Sequence, residues 1–194
     1  MRIITLSREY GAGGHSIGRQ VAKDLGIEFY DKDIISEVAI KMGIDPALVE
    51  KEGEELSRAD SFFRSITPIA YDQKGVMFDT EKQVILDIAR KGPCVILGRC
   101  ADAILEEAGI ETLNVFIYGD DIHRAARVAE LIGTNNPTEI QKVMKKTDHD
   151  RHAYYSYFAG RKWADYKNYN LMLDSGILGY DTCIKLITEA ARNS

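Results

Sequence analysis

Long apolar runs are missing from this chain of 194 residues, and so is any excess of positive charge. No stretch approaches the roughly 20 apolar residues that a membrane helix needs. The opening MRIITLS has too little apolar sequence for a secretory leader, so a cytoplasmic protein with no membrane partner is expected. A formal net charge of -5 repels a polyphosphate backbone, which argues against nucleic acid as a partner and requires any anion site to be local. Cysteine is scarce. Cys94, Cys100 and Cys183 form no C-x-x-C pair, and their odd number fits reduced thiols better than a disulfide scheme. Internal repeats, low-complexity tracts and interdomain linkers are also absent, and oligomeric state cannot be read, a homodimer being left open.

What remains is ordinary globular composition, with 45% hydrophobic and 28% charged residues. A domain of this length buries roughly 70% of its unfolded surface, so one compact body over residues 1–194 is expected. Short continuous apolar runs occur at 3–6 (IITL), 94–97 (CVIL), 115–118 (VFIY) and 171–173 (LML), with a weaker one at 27–30 (IEFY). Continuous runs suit strands buried on both faces of a parallel sheet. Helix-like segments fall at 16–25, 81–90, 101–108, 123–132 and 182–191. This alternation predicts an α/β fold with a doubly wound parallel sheet of about five strands. Residues 32 to about 78 and 138–168 lack a strand run and read as helical insertions, the places where acceptor clamps and lids sit beyond the carboxyl ends of strands.

The first apolar run leads into SREYGAGGHSIGR, from Ser7 to Arg19. Strand, glycine loop and helix in that order suit a phosphate, because the start of a helix leaves backbone N–H groups unpaired and carries partial positive charge. Gly11, Gly13 and Gly14, with Ala12 among them, allow close approach. Ser16 falls where the phosphate-loop motif G-x-x-x-x-G-K-[ST] places its magnesium-holding hydroxyl. Glu9 stands for the first glycine, however, and His15 for the lysine. The dinucleotide fingerprint G-x-G-x-x-G fails at Ser16, and a turn without a ligand remains the bland alternative. A neutral histidine does not replace a permanent charge, so the missing cation must come from Arg8, Arg19, Arg99, Arg124, Arg127, Arg151 or Arg161.

Four separated stretches, ITLSREYGAGGHSIG, FYDKDII, VILGRCADAIL and DHDRHAYYSYFAGRKWADYKNYNLMLDSGILG, together resemble the cytidylate kinase-like family of P-loop nucleoside monophosphate kinases. The resemblance runs from about Ile3 to the carboxyl terminus. It implies a P-loop core, an acceptor-binding helical region after the second strand, a lid that closes over ATP, and ATP with Mg2+ as cofactors. His15 fits a branch in which the P-loop lysine is replaced.

The implied reaction passes the γ-phosphoryl of ATP to a small acceptor, a nucleoside monophosphate such as CMP being the first choice. Phosphoryl transfer requires two anions held in line and neutralisation of the spreading charge, work that guanidinium forks suit. Catalytic roles are expected for His15, Arg99, Arg151 and Arg161, the last two arriving from the lid. Arg8, Asp31 and Arg99 are expected at the acceptor, Arg127 beside the nucleotide, and Ser16 at the metal. Surface ion pairs are the alternative for Arg161, a solvated helix start with Asp120 and Asp121 for Arg124 and Arg127, and a helix cap for Asp31. The aromatic group Tyr154, Tyr155, Tyr157, Phe158, Trp163, Tyr166 and Tyr169 reads as packing of the lid on itself rather than a base-stacking platform, and His149 with His152 lack a third ligand for a transition metal. A regulatory nucleotide sensor without turnover, and a kinase for another small acceptor, are the rival functions.

Overall fold

The computed structural model describes residues 2–31 and 68–193, with only the backbone described for 68–77. Five strands form one sheet, β1 (Ile3–Arg8), β2 (Glu28–Tyr30), β3 (Cys94–Leu97), β4 (Thr112–Tyr118) and β5 (Leu171–Asp174). Their order is β2-β3-β1-β4-β5, and every neighbouring pair is parallel. The helices are α1 (Gly14–Leu25), α2 (Pro68–Lys91), α3 (Ala101–Glu107), α4 (Asp121–Ile132), α5 (Pro137–Ala159), α6 (Ser175–Leu178) and α7 (Tyr180–Arg192).

Alternate residues of each strand serve opposite faces, which is why the runs are continuous. Ile4, Leu6, Val95, Leu97, Val115 and Ile117 pack with Ile17 and Val21 of α1 and with Cys183 and Ile187 of α7. On the other face Ile3, Cys94 and Ile96 meet Val84, Ile85 and Ile88 of α2 and Ile104 and Leu105 of α3. A smaller cluster of Val128, Ile140 and Met144 joins α4 to α5. All three cysteines are free and buried. Among the described residues no helix is long and apolar enough to cross a membrane.

Three sequence expectations need adjusting. Most of the expected insertion at 32–78 lies outside the described residues, but its last part does not form a separate piece. Backbone from Pro68 is already helical and runs unbroken into the core-packing half of α2. The 138–168 stretch is mainly one long helix, α5, started by the Asn136 side chain, which accepts from the N–H groups of Thr138 and Glu139, with Pro137 in its first turn. Its aromatics do not pack only on one another. Tyr155 is buried against α2 and α3, Phe158 stacks on Phe78 of α2 at 4.2 Å between ring centroids, and Trp163 and Tyr169 meet Phe116 of β4 at 5.2 and 5.0 Å. The physical reason is that Phe116 of β4 and Phe78 of α2 offer apolar rings that these aromatics cover, removing surface from water on both sides.

Candidate functional site

The loop between β1 and α1 lies at the carboxyl end of the central strand, anchored where Glu9 N–H donates to Ile117 C=O at 2.9 Å. Gly11 and Gly13 hold left-handed φ values of 84° and 77°, which side chains rarely adopt. Space reinforces the requirement. A Cβ at Gly11 would stand 2.6 Å from the Arg124 carbonyl oxygen, and one at Gly13 would stand 2.1 Å from the Tyr180 ring. Gly13 is also the cap of α1 and offers no side chain to satisfy the first helical N–H groups. Ser175 secures the loop from beyond β5, its hydroxyl donating to the carbonyl of Ala12 at 2.8 Å, with the Tyr118 carbonyl at 3.1 Å.

Three guanidinium groups converge on this loop. Arg8, at the end of β1, passes over the turn after β3, its Nη1 lying 2.6 Å from where a Gly98 Cβ would be. Arg99 follows that turn with a left-handed φ of 58°. Its guanidinium pairs with Glu81 of α2 and sits over the Tyr154 ring at 5.0 Å, while Tyr154 donates to the other Glu81 oxygen at 2.7 Å. A non-glycine residue in that conformation costs on the order of 1–3 kcal/mol. Arg151, from α5, donates to the Arg8 carbonyl at 2.9 Å and lies over the Tyr10 ring at 5.6 Å. Burial, then repulsion by Arg151 and Arg99, pulls the Arg8 guanidinium down to about 9, against the opposing pull of Asp31 and Asp148. Burial likewise lowers Arg151.

Carboxylates fasten the outer side of the loop. Asp148 of α5 accepts from the Tyr10 N–H at 2.7 Å and from Arg124 Nη1 at 2.5 Å, and lies 3.9 Å from Arg151. Arg124 also pairs with Asp121 at 2.9 Å and Glu9 at 3.4 Å. Burial opposes its charge, but the hydrogen bonds to Asp148 and Asp121 outweigh that and raise it. Burial raises Glu9 as well. On the β2 side, His15 Nε2 lies 3.1 Å from Asp31 Oδ2, and its ring meets Phe29 edge-on at 5.3 Å. Ser16 is exposed in the first turn of α1.

A glycine loop with a helix start, a ring of arginines and a parallel sheet in the order 2-3-1-4-5 is the frame of a P-loop kinase. Over residues 3–177 the sequence matches the model of the cytidylate kinase-like family. The chain belongs to this family. No curated protein matches it significantly. An uncharacterized protein from Eubacterium ventriosum has a similar structure, with TM-score 0.76 and 25% identity over 100% of both chains. Shikimate kinase from Acinetobacter baumannii, in complex with shikimate, gives TM-score 0.53 at 18% identity, covering 100% of this chain and 95% of the other. A gluconokinase from Sinorhizobium meliloti gives 0.54 at 16%, covering 99% and 94%. These last two likenesses establish the P-loop kinase fold.

Within this kinase-like chain the expected residues divide. Gly11, Ala12, Gly13, Gly14, His15 and Ser16 form the loop, and Arg8, Asp31, Arg99 and Arg151 gather around it. Arg127 does not join them, pairing instead with Glu130 at 2.7 Å, although its charge reaches Tyr180. Arg161 is placed elsewhere. It pairs at 2.5 Å with Glu106 near the end of α3, where the chain turns toward the start of β4 at the amino end of the strands, opposite the loop. Arg124 is not on a solvated helix start, since it is 8% exposed and carries the carboxylate network. Sequence reading missed Asp148, Glu81, Ser175 and Tyr180. Only Asp148 had a local signal, standing three residues before Arg151 and therefore on the same helix face.

Proposed function

We propose that this protein is an ATP-dependent phosphotransferase that moves the γ-phosphoryl group to a small anionic acceptor, with CMP, the nucleotide in the family's name, as the first choice. The observation that carries the reading is Arg8. Its guanidinium has no hydrogen-bond or ion-pair partner among the described residues, and two further arginines crowd it. Such an arrangement is costly unless an anion arrives to balance it. The unsatisfied N–H groups at the start of α1 supply donors for the nucleotide phosphates. Magnesium keeps much of its water shell and takes few protein ligands, which fits the exposed Ser16 hydroxyl as its single contribution from the loop. Among the described residues no group of three His, Cys, Asp or Glu side chains is arranged to cage an ion. When bound, the metal neutralises phosphate charge.

The test is ADP formation from MgATP with CMP, UMP, AMP and small hydroxy acids as acceptors, in wild type and Arg8→Ala. Turnover that falls by at least about 100-fold in the variant, with the melting temperature kept, supports the reading, since charge-assisted hydrogen bonds carry effects of that size. ATP binding without ADP formation on any acceptor points to the sensor, a second reading favoured by His15 in place of the loop lysine. His15→Lys separates them further, because a gain in turnover marks the native loop as catalytically impaired.

A further inference from the structure

Helix α5 turns one continuous stripe toward the rest of the protein. Met144, Asp148, Arg151, Tyr155 and Phe158 follow one another at spacings of 4, 3, 4 and 3 residues, which keeps them on a single helix face. Each is met by a different part of the molecule. Met144 packs with Val128 of α4, Asp148 accepts from the Tyr10 N–H of the loop, Arg151 donates to the Arg8 carbonyl at the end of β1, Tyr155 donates to Asp102 of α3 at 2.5 Å, and Phe158 stacks on Phe78 of α2. Tyr154, beside the stripe, donates to Glu81 of α2 at 2.7 Å.

The two tyrosines differ from the apolar contacts in what they fix. Met144 and Phe158 can slide over their neighbours at little cost, because apolar contact is non-directional, whereas a hydrogen bond to a buried carboxylate tolerates only a narrow range of length and angle. Tyr154 and Tyr155 leave the helix about 100° apart, and their acceptors stand on two different helices. Together they set both the rotation of α5 about its axis and its position along it. The anchors are firm, since Asp102 is 3% and Glu81 2% exposed, and Glu81 is held in turn by Arg99. Burial pushes the Asp102 carboxyl above its ordinary range, and the hydrogen bond from Tyr155 is the largest influence opposing that.

Arg151 stands one turn before these tyrosines, three residues from Tyr154 and four from Tyr155. One of its N–H groups goes to the Arg8 carbonyl at 2.9 Å, and the planar fork leaves others for an anion at the loop. Its remaining neighbours hold it loosely. The Asp148 carboxylate is 3.9 Å away, and Tyr10 offers a ring face at 5.6 Å. A shift of about 1 Å in α5 would carry the fork out of hydrogen-bonding distance, so its aim depends on where the helix is fastened.

Resting on the phosphotransferase reading above, we propose that Tyr155 and Tyr154 are positioning residues that hold Arg151 in register with the nucleotide phosphates. Neither touches the nucleotide in this scheme. Tyr155 acts from Asp102 and Tyr154 from Glu81, and both act through Arg151, whose guanidinium is thereby ordered on folding rather than at binding.

A double-mutant cycle separates positioning from general support. MgATP affinity is measured by calorimetry for the full chain, Tyr155→Phe, Arg151→Ala and the two combined, beside the urea midpoint of each. Phenylalanine keeps the ring and removes only the O–H. Tyr155→Phe is expected to weaken MgATP binding by about five- to tenfold in the native background and by less than about twofold on Arg151→Ala, the non-additivity of residues that act through one another. Tyr154→Phe is expected to repeat the pattern. Should Tyr155→Phe fail to fold, the cycle is run on Asp102→Asn, where losing the hydroxyl strands no buried charge, and the same coupling is expected. Equal losses in the two backgrounds overturn the proposal and leave the tyrosines a structural role, as does MgATP affinity that Tyr155→Phe or Arg151→Ala leaves unchanged. All of those results keep the phosphotransferase reading standing. Absence of MgATP binding by the wild type removes that reading, and the proposal with it.

Discussion

Arg8 concentrates the electrical problem of the site. Burial and the neighbouring Arg151 and Arg99 depress its pKa to about 9 in the folded chain, well below the ordinary guanidinium value. The charged form is thus disfavoured by folding, and the sign of the pH effect follows. Below about pH 9 the folded protein bears the whole cost, and as pH rises above about 9 the cost is relieved because the folded state sheds a proton that the unfolded chain keeps. Arg8→Met should therefore be more stable than wild type below pH 9, by roughly 1–3 kcal/mol after allowance for solvent screening. The difference should shrink as pH is raised through 9 and above. Urea midpoints of the two proteins across pH 7 to 10.5 check this, and sulfate at tens of millimolar should raise the wild-type midpoint more than that of Arg8→Met. Arg161 provides the contrast. Its partner Glu106 is 60% exposed, so the pair contributes at most about 1 kcal/mol. Arg161→Ala should leave kcat within about threefold of wild type in the ADP-forming assay, the outcome expected of a surface ion pair.

Asp148 of helix α5 fastens the glycine loop, beside the contact of Arg151 with the Tyr10 ring. Asp148 satisfies the Tyr10 N–H and the most buried pairing of Arg124, and so ties residues that are 138 and 24 positions apart in the chain. Removing it leaves a backbone donor and a buried cation short of a partner, whereas Asp121 and Glu9 continue to hold Arg124. Asp148→Asn should cost about 1–3 kcal/mol in denaturant unfolding and weaken ATP binding through a looser loop, which calorimetry at a single temperature reads directly. Links of this kind were not legible in the sequence. The strands were legible because burial on both faces writes a continuous apolar run, and CVIL marks β3 to the residue. β2 gave a weak signal since it is a partly exposed edge strand of three residues. The glycine loop was legible through its chemistry, as were Arg99 and Asp31 through their places at strand ends. Ser175 holding Ala12 across 163 positions, and Glu81 holding Arg99 from a helix, depend on how the sheet brings distant segments together, for which no local pattern exists.

Over the whole molecule, charge is distributed against its own total. A net charge of -5 repels ATP at long range, yet the end of the sheet gathers Arg8, Arg99 and Arg151 around amide donors of α1. Salt acts differently on these two contributions. Long-range repulsion between the dilute net charge and the ligand is already largely screened at about 0.1 M ionic strength, where the Debye length is about 10 Å. Attraction by the three arginines acts over shorter distances and in a partly buried setting, so it persists there and fades only as the screening length falls toward about 3 Å near 1 M. If the arginine cluster governs nucleotide capture, the KM for MgATP should rise by about three- to tenfold between 0.1 and 1 M potassium chloride, with kcat changing less, since uniform binding is what is lost. Arg8→Ala should flatten this dependence because part of the salt-sensitive attraction is already gone. A KM that falls with added salt, or an equally steep slope in the variant, would place capture in the net charge or the backbone amides instead of the guanidinium groups.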